Sequence, residues 1–448
     1  MNNYKPKGRL LHFTFYILNF TFLLSSCTIE KKLGRSASET VLEAPSLKAA
    51  HVGITIFEPA TGKYWFDFQG DKYFIPASNT KIPTCYVAMK YLGDSLVGLT
   101  YYEAPGDNIY IQPGGDPTFL LAEFPNQPVL EFLRKTKKRI NIDLSGWKTN
   151  PLGSGWSWND YEATYMAERS AMPIYGNVVQ FAGTVGSPLV MPGNVIESLT
   201  LDTTSKNSYF KEVSRIRAGN RFSITGGGTK PATLNVTFDT DNGRVIEKLL
   251  ADTLKLPTPV LPATHKSPLP AAPGKTVFSQ PTDSVLKPMM HRSDNFFAEQ
   301  LLLMVSHVRL GIMSDYRIVD TILKTDFKDL PQKPRWADGS GLSRYNLFSP
   351  RDFVTILGKM KDEFGMDRIK TIFATGGEGT ISSYYKSDST YIYGKTGTLS
   401  GVVAFSGFLY TKKGKQLIFS VLVNNHQSSA TEIRRAVEKF LQGIRSRY

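Results

Sequence analysis

The chain has 448 residues, of which 41% are hydrophobic and 21% charged, and this composition excludes a disordered chain, a collagen and a polytopic membrane protein. Its length allows two or three domains with a sizeable core. The formal net charge is +14, but no arginine-rich run, zinc finger or basic heptad region accompanies it, so we expect no nucleic-acid partner. Two cysteines and six scattered histidines suit neither a disulfide framework nor a four-thiolate zinc site, and we predict no metal site.

The N-terminal segment is typical of a secretory signal. Three basic side chains precede an apolar run from Leu10 to Leu24, which is too short to cross a bilayer as a stable helix. We therefore predict that residues 1–26 are a signal peptide. The run ends in Leu-Ser-Ser-Cys at Cys27, which resembles the lipobox of bacterial lipoproteins, where the cysteine is lipidated and becomes the first mature residue. Ordinary signal-peptidase cleavage, with Cys27 incidental, is the alternative.

The stretch after the signal is polar and lacks periodicity, so residues 27–48 are predicted to be a lipidated tether. Thr28, directly after the cysteine, is not acidic and carries no signal for retention in the inner membrane. We therefore expect a periplasmic protein anchored in a membrane through Cys27, with the outer membrane favoured over the inner one.

The folded part of the chain is predicted to begin with a β-hairpin, His51–Phe57 and Tyr64–Phe68, joined by turn residues. Residues 78–91 have the pattern of a helix. From residue 96 to 280, short β-rich runs alternate with Gly, Pro, Asn and Asp. This alternation predicts a largely β region, which ends in a proline-dense stretch at 256–273.

The last part of the chain mixes helices and strands. A helix, three strand-like runs and an amphipathic helix are predicted in this order: Pro288–Leu310, 391–393, 402–409, 416–424 and Thr431–Ile444. We interpret residues 49–95 and 281–448 as one domain, interrupted by one or more inserted domains at 96–280.

Ser78 and Lys81 form the pattern S-x-x-K at the start of a predicted helix. A spacing of three places both side chains on one face about a turn apart, so the lysine amine can reach the serine hydroxyl. The pattern alone is weak, because it recurs at four other serines, Ser145, Ser208, Ser284 and Ser383. A helix cap with a surface lysine is the alternative interpretation.

Two further patterns follow in chain order. Ser293 and Asn295 form S-x-N inside a predicted helix, where a mere polar break is the alternative. Lys395 to Thr398 read Lys-Thr-Gly-Thr on a predicted strand, where an exposed edge lysine is the alternative. Each pattern is weak alone, but the order S-x-x-K, S-x-N, K-T-G matches that of penicillin-binding proteins and class A β-lactamases.

The chain resembles the penicillin-binding proteins, and more narrowly the class C group of D-alanyl-D-alanine carboxypeptidases and endopeptidases. Three more stretches carry this resemblance, namely the G-D-P segment at Gly114–Pro117, the D-G-S-G-L-S signature at Asp338–Ser343 and the G-x-x-G-T loop at Gly376–Thr380. The resemblance implies an α+β penicilloyl-serine transferase fold, an antiparallel sheet flanked by helices, with a largely β inserted region at 96–280. Residues 49–95 and 281–448 would then be the catalytic domain.

The resemblance also assigns catalytic roles. Ser78 would attack the carbonyl beside a D-alanine of a peptidoglycan stem peptide and form an acyl-enzyme, with Lys81 as the base. Burial and the nearby Lys395 would lower the pKa of Lys81 enough for that role. Ser293 would pass a proton to the leaving amine, and Asn295 would offer its amide to the substrate backbone.

The Lys-Thr-Gly-Thr strand would bind the other end of the substrate. The hydroxyls of Thr396 and Thr398 would hold its terminal carboxylate, and Gly397 would let the strand approach closely. The backbone N–H groups of Ser78 and Thr398 would form the oxyanion hole. Water would then deacylate the enzyme, so no cofactor is expected, and β-lactam antibiotics would inhibit by acylating Ser78.

One residue departs from the pattern. Pro83 would remove an intrahelical donor if the helix already began at Ser78, so either the helix begins later or its first turn is distorted. Three functions stay open: a D,D-peptidase of carboxypeptidase or endopeptidase type, a β-lactamase, and a non-catalytic wall-binding lipoprotein. The long interval between Ser78 and Ser293 argues against the β-lactamase, and an intact serine and lysine argue against the binding protein.

Overall fold

We describe residues 29–255, 260–261, 269 and 273–448 in a computed structural model of the protein. Within these ranges the α-helices are α1 (29–37), α2 (Lys81–Tyr91), α3 (Pro128–Lys135), α4 (Val245–Leu254), α5 (Thr282–His291), α6 (Asn295–Leu310), α7 (Asp315–Lys324), α8 (Pro350–Ile372) and α9 (Ala430–Arg447). The predicted signal peptide, Cys27 and most of the proline-dense stretch lie outside the described residues.

The centre of the molecule is a six-stranded antiparallel sheet. Its strands lie in the order β14 (Ala374–Thr375), β15 (Ile392–Leu399), β16 (Val402–Tyr410), β17 (Gln416–Asn424), β1 (His51–Glu58) and β2 (Lys63–Phe68). The predicted N-terminal hairpin is confirmed, because β1 and β2 pair with each other. Strand β1, from the N-terminal part of the chain, pairs with β17, from its C-terminal part, in the middle of the sheet.

Helices cover both faces of this sheet, as the sequence predicts. One face packs on α2, α5, α6 and α8, and the other packs on α9. The central strand β17 shows why: Ile418 and Leu422 enter the first core while the alternate residues Phe419 and Val421 enter the second. A strand that is apolar on both faces needs a layer on each side.

Residues 29–48 differ from the predicted tether. Residues 29–37 are helical and continue into a π-turn at Ser38–Leu42, which packs against α9. Leu33, Ala37 and Val41 are buried there. These apolar side chains recur every four residues and therefore share one helix face, a short signal that the surrounding charges conceal. The prediction of an aperiodic segment was wrong for residues 29–48.

The inserted region is largely β, as predicted, and contains two sheets. The first sheet has the order β12 (Val260–Leu261), β5 (Arg139–Asp143), β4 (Asn108–Pro113), β3 (Ser95–Ala104) and β13 (Lys275–Pro281). The second has the order β11 (Leu234–Thr237), β6 (Val178–Thr184), β9 (Tyr209–Arg215), β10 (Arg221–Gly228) and β8 (Ser198–Leu201), with β7 (Ser187–Met191) also on β6. Because β3 pairs with β13, the strands that enter and leave the insert lie side by side.

Among the described residues, no helix is long and apolar enough to span a bilayer. The same part of the chain holds no cluster of three or more His, Cys, Asp or Glu side chains arranged to bind a metal ion.

Candidate active site

Ser78 lies in a tight turn ahead of α2 and not inside the helix. The turn is a 3₁₀ segment, Ala77–Thr80, and α2 begins at Lys81. Pro83 is therefore the third residue of α2, where a backbone N–H has no intrahelical acceptor in any case. The helix starts later than predicted, so Pro83 leaves the turn undistorted. Ala77, directly before Ser78, has φ +47°, an uncommon conformation for a residue with a side chain.

Two glycines hold this turn from opposite sides. A Cβ on Gly397 of β15 would lie 2.5 Å from the Pro76 carbonyl oxygen and 3.0 Å from the Ser78 nitrogen. A Cβ on Gly341, from the D-G-S-G-L-S signature, would lie 1.9 Å from the Ala77 carbonyl oxygen. Both positions therefore need glycine for the close approach. Strand β15 pairs with β14 only as far as Gly394. Beyond that residue, the outer edge of β15 lies against the Ala77–Thr80 turn.

Lys81 is completely buried and reaches the predicted nucleophile. Its Nζ donates to Ser78 Oγ at 3.1 Å, to Asn295 Oδ1 at 2.6 Å and to the Ser340 carbonyl at 2.7 Å. Burial lowers the pKa of Lys81 to about 8, although the carboxylates of Asp338, Asp294 and Glu299 act in the opposite direction. The spacing of three in S-x-x-K therefore joins the two side chains as predicted.

Ser293 lies between two helices, where a single helix was predicted. The chain leaves α5 after His291, turns through Ser293 with φ +64°, and enters α6 at Asn295. The Asp294 side chain caps α6 by accepting from the Phe297 N–H. An N-cap aspartate inside an apolar run is the signal for this break. The Asn295 Nδ2 donates to the Tyr165 carbonyl at 2.9 Å, so an inserted-domain residue orients the amide.

Lys395 is also completely buried and faces Ser293. Its Nζ donates to Ser293 Oγ at 2.9 Å and to the Thr396 carbonyl at 2.8 Å. Burial first, then the charges of Lys81 and Arg434, hold the pKa of Lys395 well below its usual range. Burial is thus the main reason that the pKa of each lysine is lowered, and the charge of Lys81 adds to it at Lys395.

The hydroxyls of the Lys-Thr-Gly-Thr strand have different surroundings. Thr396 is 7% exposed, and its Oγ1 donates to Thr380 Oγ1 in the G-x-x-G-T loop at 2.7 Å. Thr398 is exposed, and its Oγ1 accepts from Arg434 Nη2 on α9. Arg434 was not predicted as a site residue, because a single arginine on the polar face of an amphipathic helix carries no motif.

The other two segments that carry the family resemblance have different roles. In the Asp338–Ser343 stretch, the Ser340 carbonyl accepts from Lys81, and Gly341 packs against the nucleophile turn. The G-D-P segment lies away from the catalytic side chains: the Gly115 carbonyl accepts from Gln300 on α6, which ties the inserted domain to the catalytic one. All eight predicted catalytic and substrate-binding residues lie on the Ala77–Thr80 turn, the first residue of α2, the α5–α6 junction and β15.

Comparison with known proteins identifies the family. The model of the D-Ala-D-Ala carboxypeptidase 3 (S13) family matches residues 35–444 of the chain. The chain belongs to the S13 family. It is therefore a serine peptidase of the D-Ala-D-Ala carboxypeptidase type, and the resemblance to class C penicillin-binding proteins is confirmed.

Curated S13 relatives match over most of their length. The chain is 24% identical to D-alanyl-D-alanine carboxypeptidase DacB of Haemophilus influenzae over 429 residues, which covers 85% of this chain and 87% of the relative. It is 25% identical to the D-alanyl-D-alanine carboxypeptidase of Actinomadura sp. strain R39, over 88% of this chain and 82% of the relative.

Solved structures show the same fold. Penicillin-binding protein 4 of H. influenzae has a TM-score of 0.68 at 21% identity, covering 92% of this chain and 98% of that one. Bd3459, a predatory peptidoglycan endopeptidase of Bdellovibrio bacteriovorus, has a TM-score of 0.50 at 13% identity, covering 88% of this chain and 93% of that one. The predicted penicilloyl-serine transferase-like fold with a mostly β insert is thus confirmed for this S13 chain.

Proposed function

We propose that this S13 peptidase cleaves beside D-alanine in peptidoglycan stem peptides or cross-links through an acyl-enzyme on Ser78. The observation that carries the proposal is the buried Lys81 amine, 3.1 Å from Ser78 Oγ, with a pKa lowered to about 8. With that pKa, about a tenth of the lysines are neutral at pH 7 and able to accept a proton.

Acylation starts when neutral Lys81 takes the Ser78 proton as Oγ attacks the carbonyl carbon. The backbone N–H groups of Ser78 and Thr398 donate to the oxyanion, each such donor contributing about 3 to 4 kcal/mol. The close approach of Gly397 to the Ser78 nitrogen supports this pairing of donors.

The leaving amine needs a proton when the tetrahedral intermediate collapses. Ser293 would deliver its hydroxyl proton to that amine and recover one from protonated Lys81, directly or through Lys395, whose Nζ lies 2.9 Å from Ser293 Oγ. The peptide bond breaks, the amine leaves and the Ser78 ester remains. Water then attacks the ester and regenerates the serine.

The terminal carboxylate of the substrate would bind at Thr398 and Arg434. Arg434 already contacts the Thr398 hydroxyl, and among the described residues its Nε is buried without an acceptor. An arginine with free donors beside an exposed hydroxyl suits a carboxylate. Thr396, whose hydroxyl bonds to Thr380, would have to turn from that partner to join them.

Both carboxypeptidase and endopeptidase action fit this site, because a carboxylate can flank the leaving amine in either case. Product analysis on purified peptidoglycan tests the proposal: the protein should release D-alanine, separate cross-links or do both. The Ser78→Ala variant should do neither. Wild-type protein that is folded and inactive on peptidoglycan, but turns over β-lactams rapidly, would favour a β-lactamase instead.

β-Lactams are expected to acylate Ser78 and inhibit the enzyme. Penicillin-binding protein 4 of H. influenzae, which has the same fold, has been solved in complex with a β-lactam. Acylation is expected here because the strained lactam presents a carbonyl to the serine and a carboxylate to the Thr398 end.

For location, we propose a lipoprotein anchored through Cys27 on the periplasmic side, with the outer membrane favoured. The lipobox-like sequence supports the anchor, and residues 29–48, packed on α9, would hold that side of the enzyme near the bilayer. Cys27→Ser should release the protein from envelope membranes or stall its processing. A wild-type protein that fractionates as soluble would contradict the anchor.

A further inference from the structure

Besides the Gly115 carbonyl, a short segment of the inserted domain, residues 165–170, contacts the catalytic helix α6. The Tyr165 carbonyl accepts from Asn295, and Arg169 Nη1 donates to Glu299 Oε2 at 3.2 Å, one turn further along α6. Ser170 exchanges two hydrogen bonds with Gln300. The segment therefore contacts the same helix that carries the S-x-N asparagine, at successive turns.

Glu299 connects this segment to the catalytic lysine. Its carboxylate is buried, with 1% of the side chain exposed. Oε1 accepts from the Ser340 N–H at 2.7 Å, and the carbonyl of the same Ser340 accepts from Lys81 Nζ at 2.7 Å. A single residue thus lies between the Glu299 carboxylate and the Lys81 amine.

The charges around Glu299 are unbalanced without the inserted domain. Asp315 on α7 and Asp338 in the D-G-S-G-L-S loop face it from the catalytic domain, Asp294 adds negative charge near Lys81, and Arg169 supplies the compensating cation. Arg169 Nη1 also pairs with Asp315 Oδ2 at 2.8 Å. Burial, followed by the charge of Asp338, raises the pKa of Glu299 to about 7, while Arg169 lowers it.

We propose that Glu299 and Arg169 are positioning residues through which the inserted domain controls the protonation of Lys81. The inference rests on the proposed function, in which Lys81 is the base. An ionised Glu299 favours the ammonium form of Lys81, and a neutral Glu299 favours the amine that accepts the Ser78 proton. Arg169 favours the ionised form of Glu299, and Glu299 and Lys81 titrate as a coupled pair.

The sign of the effect is set by the charge at position 299. Glu299→Gln removes a negative charge near Lys81, so the pKa of Lys81 falls. The acid limb of the acylation profile, which is the pH range where the rate rises as Lys81 loses its proton, then moves to lower pH by roughly half a unit to one unit. Glu299→Asp keeps the charge and should leave the limb near its wild-type position. A purely structural glutamate would lower the rate in both variants without moving either limb.

Arg169→Met tests the role of the inserted domain. Without its cation, Glu299 should hold a proton at neutral pH, and the acid limb should move in the same direction as in Glu299→Gln. The double variant should show no further shift, because both changes act through one carboxylate. A limb that moves to higher pH in Arg169→Met would mean that the arginine acts by its own charge, which contradicts the proposal.

Two residues of the inserted domain serve as matched controls. Arg215 is buried and stacks on Tyr161 as Arg169 stacks on Trp156, and Glu168 is a buried glutamate bonded to Thr240. Arg215→Met and Glu168→Gln should therefore lower thermal stability as much as the test variants while leaving the acid limb unmoved.

The experiment is the second-order rate constant for acylation of the full mature chain by a penicillin, measured over roughly pH 5 to 9. If wild-type protein is acylated at Ser78 but the acid limb of Glu299→Gln does not move, the inference is overturned and the proposed function is not. Wild-type protein that is not acylated at Ser78 overturns the proposed function itself. If Arg169→Met does not fold, the comparison of Glu299→Gln with Glu299→Asp still decides.

Discussion

At the scale of single residues, the site places its two lysines among different charges. Lys81 and Lys395 are equally buried, but carboxylates surround Lys81, while the second lysine faces the charges of Lys81 and Arg434. The pKa of Lys81 therefore stays near 8 and that of Lys395 lies well below its usual range. The S-x-x-K and K-T-G patterns predicted the two lysines, but their carboxylate neighbours come from distant segments without a motif.

The lysines should respond differently to substitution. Lys81→Ala should lower the acylation rate about 10² to 10⁴-fold, because the serine loses its base. Lys395→Arg leaves Lys81 in place but puts a permanently charged guanidinium beside Ser293, so it should leave slow acylation with weaker binding of the substrate carboxylate. Rate constants for β-lactam acylation over roughly pH 5 to 9 measure both effects. Equal damage, or greater damage from Lys395→Arg, would show that the base is assigned to the wrong lysine.

Wild-type acylation should depend on pH through Lys81. The neutral amine accepts the Ser78 proton, so the rate should rise as pH increases and level off above about 8, the pKa of Lys81. The same rate constants give this profile. A rate that falls between pH 6 and 8, roughly the range in which Lys81 loses its proton, would contradict a lysine base.

Arg434 is expected to act on substrate affinity. Arg434→Ala should raise KM for peptides with a free terminal carboxylate by about 10- to 150-fold, since one charge-assisted hydrogen bond is worth about 1.5 to 3 kcal/mol. The same peptides with an amidated C-terminus should bind equally weakly to both proteins. Arg435→Ala, one residue further on an exposed position of α9, is the control. An unchanged KM would remove Arg434 from the carboxylate site.

At the scale of elements, the nucleophile depends on a turn packed between strand β15 and the D-G-S-G-L-S loop. Propensity and periodicity predicted a helix from Ser78 and a single helix through Ser293, and both were wrong by a few residues. The first break is set by tertiary contacts at Gly341 and Gly397, which a local pattern does not contain. The second break is local, because the Asp294 cap begins the helix after Ser293.

Gly397→Ala tests the packing of that turn. The added Cβ would meet the Pro76 carbonyl and the Ser78 nitrogen, so the turn or β15 must shift, and acylation should fall about 10²-fold. Gly193→Ala is the matched control, because a Cβ there has no heavy atom within 4 Å. Similar acylation rates for wild type and Gly397→Ala would mean that the close approach is not needed.

At the scale of the whole molecule, the inserted region could be predicted from the sequence, but the contacts between domains could not. The change to short β-rich runs at 96–280, together with the family resemblance, predicted the insert, whereas nothing in the sequence marked Arg169 as the residue that reaches Glu299. The N-terminal segment is a similar case. Its few apolar residues find their partner in α9, about 400 positions away in the chain, and only the folded structure brings them together.

Leu33→Ala tests whether residues 29–48 belong to the folded unit. Leu33 is 1% exposed in the core beneath α9, so the substitution should cost about 2 to 5 kcal/mol of unfolding free energy. The exposed Glu39→Ala on the same segment should cost little. Thermal or denaturant unfolding measures both. Equal stability of Leu33→Ala and wild type would mean that the segment does not pack on the enzyme in solution.

The central claim is that Ser78 is the nucleophile, and covalent labelling tests it most directly. The mature protein, incubated with a fluorescent penicillin and digested, should carry the label on the peptide that contains Ser78. Ser78→Ala should abolish labelling, whereas Ser145→Ala, at another S-x-x-K serine, should leave it intact. Labelling that survives Ser78→Ala, or that lies on any other peptide, would contradict the account.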